Sequence, residues 1–191
     1  MKPILLAATL IFSAHASADD HFTVDVPQLQ KEGKTVIMTL VETLTGELKK
    51  AKAEGGAPAA IKVCNLKALP LTQSVSENSG WEIGRTSLQL RNQKNAPDEW
   101  EKAILEQFAN KARQGANLKT LGFSQVVVEE NGQKVFRMMK AIPVGEQCLA
   151  CHGTKLKPEL KNKIEMLYPE DRAQGFEQGD LRGAFTLKKY L

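Results

Sequence analysis

The stretch that most limits what this chain can become is Cys148-Leu149-Ala150-Cys151-His152, followed at once by Gly153. It has the form C-x-x-C-H, the attachment pattern of a c-type haem. Two thiols three residues apart on one helical turn can each form a thioether with a haem vinyl group. The imidazole beside the second thiol is then held against one face of the iron. A C-x-x-C pair alone would also suit thiol–disulfide chemistry or half of a zinc site. The histidine favours one covalently attached haem c, with Cys148, Cys151 and His152 as its residues, over a redox or zinc pair.

The N-terminus reads as an export signal. Lys2 supplies a positive charge, Ile4 to Phe12 is an apolar run, and Ala16-Ser17-Ala18 offers small residues before Asp19-Asp20. That is the layout of a secretory signal peptide, residues 1–18, cleaved after Ala18. Its apolar core is well short of the roughly 20 residues that span a bilayer. Residues 19–191 are then expected to form a single domain, with no membrane span after cleavage. A periplasmic location fits the motif, because bacteria join haem to C-x-x-C-H outside the cytoplasm. Without Lys2, 25 basic residues face 22 acidic ones. No basic stripe with interleaved aromatics is present, so no nucleic-acid partner is expected.

Apolar periodicity places the elements. Gln28 to Ala53 is expected as a long helix, with Val36, Leu40, Leu44 and Leu48 on one stripe. Gly55-Gly56 ends it, and Pro58 opens a second helix that reaches about Ala68 and carries Ile61 and Cys64 on one face. Pro70 lies just beyond. Trp81 to Leu90 is strand-like, and Pro97-Asp98-Glu99 opens a third helix that Gly115 stops. Phe123 to Glu130 and Gln133 to Val144 are β-rich runs joined by Asn131-Gly132, a strong hairpin signal. Pro158 to Leu167 is helical, and Arg182 to Lys188 alternates as a closing strand. The fold class is α+β: a small antiparallel sheet flanked by helices, placed on one side, with a long N-terminal helix. That helix could cover the sheet or pack against a second copy in a homodimer.

The ligand on the other face of the iron is open on the residues alone. His21, beside the new N-terminus, is the one other histidine of the mature chain. Candidates are Met38, Met138, Met139 and Met166, the thiol of Cys64, or an open site. Methionine commonly fills core gaps, and neighbours in a strand point to opposite faces, so at most one of Met138 and Met139 could reach the haem. Cys64 is favoured because an exported chain has little reason to keep a free thiol, and metal-bound thiolate is protected. Arg85 and Arg91 could each hold a haem propionate, or serve as a surface charge or fold-stabilising ion pair.

Several stretches together resemble a family of exported single-haem proteins with a PAS-like α+β fold, catalogued as a domain of unknown function. The family occurs free-standing and as the sensory part of bacterial receptors. The matching stretches are Ala60-Ile61-Lys62-Val63-Cys64, Gly84-Arg85-Thr86-Ser87, Arg91-Asn92 with Asn95 and Pro97, the C-x-x-C-H-G run, Tyr168-Pro169-Glu170-Asp171, and Gly179 to Ala184. One departure is Gln93, where the family pattern has proline. The resemblance implies His152 and Cys64 as the axial pair. The motif, the export signal and the free thiol lead to an expected role in electron transfer or redox response with an unidentified partner protein. The alternative is a gas or redox sensor that signals through a separate protein. An enzyme is not expected, since a haem peroxidase needs a distal acid or base.

Overall fold

The computed structural model describes residues 23–191, so the signal segment and His21 lie outside the described residues. Its centre is a four-stranded antiparallel sheet in the order β1-β4-β3-β2, formed by β1 (Glu82–Thr86), β2 (Gly122–Val128), β3 (Lys134–Pro143) and β4 (Leu181–Tyr190). The β2–β3 connection is the expected hairpin. Gly132 takes a left-handed φ of 82°, and the Asn131 side chain accepts from Gln133 N–H. The last strand of the chain therefore lies inside the sheet, between the first strand and the hairpin.

Side chains of β3 alternate across the sheet, and apolar ones are buried on both faces. Phe136 and Met138 point to one face, where Val36, Ile37, Leu40 and Leu44 of α1 (Val26–Leu66) and Val75 of α2 (Ala68–Ser79) cover them. Met139 and Ala141 point to the other, where Ile104, Leu105 and Phe108 of α3 (Glu99–Arg113) pack. Helices thus lie on both faces, not on one. A strand buried on both sides reads as a near-continuous apolar run, which carries no mark of how many faces are covered. Each large side chain buried this way contributes roughly 1.5–3 kcal/mol.

The first two expected helices form one element, α1, interrupted where the glycines stand. Gly55 has φ −149° and Gly56 has φ 67° and ψ −161°, outside helical values. Pro58 then re-enters the helix in its first turn, where a missing N–H costs nothing. The helix α2 is absent from the sequence reading, which took Pro70 as a terminator. Pro70 instead sits in the first turn of α2, and Leu71 N–H makes the first bond, to Lys67 O at 2.9 Å. The strand expected over residues 81–90 stops at Thr86, and Ser87 bends the chain by bonding Arg182 O at 2.7 Å.

The α3 helix starts as its sequence suggests. Asp98 accepts from Glu101 N–H while the Glu101 carboxylate accepts from Asp98 N–H, a capping box. Arg137 of β3 reaches both carboxylates, at 2.6 Å to Asp98 and 3.4 Å to Glu101, and its guanidinium lies 4.2 Å from the Trp100 ring centre. Burial pushes the Asp98 carboxyl up, but the Glu101 N–H, Arg137 and Lys188 outweigh it and hold it below the usual value of 3.8. A group with a lowered folded pKa contributes stability that is complete above the unfolded value. That contribution is lost as pH falls below 3.8 and through the folded value. Asp98→Ala is expected to cost about 1–2 kcal/mol by urea denaturation at pH 7. The difference from the parent protein should shrink as the same titration is repeated at progressively lower pH.

Candidate functional site

The cysteine motif sits at the end of the sheet where β3 leaves and β4 enters. Val144 N–H bonds Asp180 O at 2.8 Å and Gly179 N–H returns to Val144 O at 2.9 Å. A 3-10 turn at Glu146–Cys148 then runs directly into the one-turn helix α4 (Leu149–His152). Gly153 N–H closes that turn on Leu149 O at 2.9 Å. A Cβ on Gly153 would lie 2.6 Å from the same carbonyl, so the position excludes any side chain. The segment 173–176 runs beside the turn: Phe176 N–H bonds His152 O at 3.0 Å and Gly175 N–H bonds Gly153 O at 3.1 Å.

Cys148 and Cys151 are both half-buried free thiols. Cys148 packs with Val144, Ala173 and Phe176, and Cys151 with Ile61, Leu160, Ile164 and Tyr168. His152 Nδ1 donates to Ala173 O at 2.7 Å, because a carbonyl can only accept. With that proton placed, the neutral ring keeps its lone pair on Nε2. Burial, then the cations Arg182 and Arg91, drive the imidazole down to a pKa of about 3, with Ala173 O and Asp171 opposing only in part. A neutral imidazole with its far nitrogen hydrogen-bonded to the protein is the form in which histidine ligates metals.

Arg91 organises this loop. Its Nε and Nη2 reach the two carboxylate oxygens of Asp171, each at 3.1 Å, and Nη2 also donates to Cys151 O at 2.7 Å and Ala173 O at 3.1 Å. Asp171 is filled further by Ala173 N–H and the Gln174 amide. Of the roles read for Arg91, the structure gives it the fold-stabilising ion pair. Arg182 bonds Ser87 Oγ and Gln89 O and stands 5.4 Å from the Phe176 ring centre. Burial first, then Arg91, lowers its pKa to about 10. The Ala173 carbonyl had no signal in the sequence, since any residue supplies one.

Cys64 arrives from the far side of the glycine break. The second part of α1 packs through Ile61 on α5 (Pro158–Leu167), and Asn65 Nδ2 donates to Leu167 O at 3.2 Å. Burial pushes the Cys64 thiol pKa up; Arg85 pulls it down, Cys151 raises it and Arg91 lowers it. Cys64 is thus near enough to Cys151, Arg85 and Arg91 to feel their charges. Arg85 is half-buried on β1 and makes no ion pair among the described residues; burial lowers its pKa. Tyr168 is pushed up to about 12 by burial and by Cys64. The methionines lie elsewhere: Met138 and Met139 fill the two sheet cores, while Met38 and Met166 are exposed.

Among the described residues no group of three or more His, Cys, Asp or Glu is arranged to hold a metal ion. Arg91 and Asp171 are nearly buried, with side chains 10% and 3% exposed. Removing one partner leaves the other charge uncompensated, so Arg91→Ala is expected to cost about 3–5 kcal/mol in urea denaturation. Arg91→Lys should recover only part of that loss, because an ammonium cannot span both carboxylate oxygens and two carbonyls in one plane.

No match was found among the curated proteins. A family model described as Tll0287-like matches residues 7–189. Among solved structures, the crystal structure of the cyanobacterial heme-protein Tll0287 superposes with a TM-score of 0.59 at 28% identity, over 84% of this chain and 94% of that one. The family model spans nearly the whole sequence, and the chain belongs to the Tll0287-like family.

Proposed function

We propose that this protein is an exported monohaem protein that carries one haem c and acts in electron transfer or redox response. The observation that carries the reading is the His152–Ala173 bond at 2.7 Å, which fixes a neutral imidazole directly after two half-buried thiols. The likeness to a cyanobacterial heme-protein supports it as well. Cys148 and Cys151 would supply the thioethers, and His152 Nε2 and the Cys64 thiol would hold the iron. The donor set fits the group: two thiols at the right spacing, one oriented nitrogen, and a third thiol in the field of two guanidiniums.

When bound, the haem supplies a one-electron iron centre. The rest is work for the chain. Arg91, itself fixed by Asp171, donates to the carbonyl of Cys151 and to that of Ala173, the acceptor of the His152 ring, and so restrains the imidazole. Arg85, which forms no ion pair among the described residues, would be the residue to hold a propionate. A thiolate at Cys64 donates charge and favours the ferric state, whereas methionine in that place would raise the potential. The partner is a separate redox protein outside the cytoplasm, reached after cleavage at Ala18. Among the described residues no helix is long and apolar enough to cross a membrane.

A second reading, a gas or redox sensor that signals through another protein, draws on the glycine break. Gly55 and Gly56 divide the segment bearing Cys64 from the part of α1 packed on the sheet, so Cys64 could be released without unpacking the core. Carbon monoxide bound rapidly by the reduced protein supports sensing; a reduced protein inert to it supports electron transfer.

Denatured, reduced protein in alkaline pyridine is expected to show the absorbance of one thioether-linked haem per chain, and its absence would sink the reading. Ferric wild type is expected to give a low-spin electron paramagnetic resonance signal with thiolate character that Cys64→Ala abolishes. Identical signals from the two proteins would remove Cys64 from the iron.

A further inference from the structure

A second cleft of about 430 Å³ runs along the free edge of β1, between α2, the 3-10 turn at Gln93–Asn95 and the start of α3. The strand order leaves this edge without a neighbouring strand. Ile83 reveals which main-chain groups face outward: its N–H donates to Ser76 Oγ at 3.0 Å and its C=O accepts from the same hydroxyl at 3.3 Å. Pairing alternates along an antiparallel strand. Arg85, two residues on, therefore also turns its N–H and C=O away from β4, and they meet no partner among the described residues. Thr86 adds a hydroxyl with no hydrogen-bond partner in a residue only 4% exposed.

The charge in the wall has one sign to spare. Glu101 is the carboxylate there, and Thr186, Arg137 and the Asp98 N–H already occupy it. Lys94 is exposed and forms no ion pair with any described carboxylate. Leu69, Ile83 and Ala96 supply an apolar lining. A peptide strand does not suit this edge, because Ser76 covers Ile83 and leaves the main-chain groups of one residue.

The geometry points to this cleft as a binding site for a short aliphatic carboxylate, its oxygens on Lys94 Nζ and Arg85 N–H and its chain against Leu69 and Ile83. The site is separate from the cysteine turn. Arg85 contributes its main chain here, while its guanidinium is directed to the neighbourhood of Cys64 and Tyr168.

Butyrate titrated into the full exported protein tests this, with butyramide as the neutral match, read by calorimetry and by amide NMR shifts. Butyrate is expected to saturate one site, with the largest shifts at Arg85, Thr86, Lys94 and Asn95. Butyramide should bind about tenfold or more weakly, and Lys94→Gln, a surface change, should weaken butyrate to a similar degree. Absence of saturation, equal binding of butyramide, shifts centred elsewhere, or indifference to Lys94→Gln overturns the assignment. The haem content of each sample is read separately in alkaline pyridine, so failure of one conclusion does not mimic failure of the other.

Discussion

A guanidinium and a carboxylate buried side by side, Arg91 and Asp171, tie together parts of the chain that sequence order keeps far apart. Arg91 follows the first strand, Cys151 lies in the turn after the third, and Asp171 and Ala173 precede the fourth. Taking two charges out of water costs several kcal/mol each, so such a pair adds little net stability over an apolar substitute. What it supplies is geometry. The planar fork of arginine meets two carboxylate oxygens and two carbonyls at once, and this leaves the loop around His152 one arrangement.

The sheet explains why that arrangement is rigid. β1, β3 and β4 all end or begin at the same side of the molecule, and the loops between them cross there. Ser87 binds the carbonyl of Arg182, and Val144 exchanges bonds with Asp180 and Gly179. The turn bearing Cys148, Cys151 and His152 is thus anchored where β3 leaves the sheet and β4 enters it. α5, which follows the turn, receives the second part of α1 and with it Cys64. The glycine break is what permits this: the first part of α1 follows the sheet face, and the second follows α5.

Much of this was legible in the residues. The motif, the Asn131-Gly132 hairpin, the capping box at Asp98 and the helix Pro158–Leu167 each carry local chemistry that fixes their structure without help from afar. The failures share a cause. Pro70 is compatible with either the end of one helix or the first turn of another, and only packing of Val75 on the sheet decides. Covering of the second sheet face depends on where α3 docks, which periodicity within β3 does not encode. In the site, side chains announced themselves and main-chain groups did not. Cys64, Cys148, Cys151 and His152 could be named, whereas the Ala173 carbonyl, which sets the imidazole tautomer, could not.

That the final strand is an interior one has a consequence for the order of assembly. As the chain emerges from N- to C-terminus, the β2–β3 hairpin can form early, but β1 has no partner until β4 exists. The residues that clasp the cysteine turn, Ala173, Phe176, Gly179 and Asp180, also arrive after the turn itself. The two thiols therefore precede most of the residues that pack beside them. The turn takes its final surroundings only when the last strand slots between its neighbours, so completion of the sheet is also completion of the site.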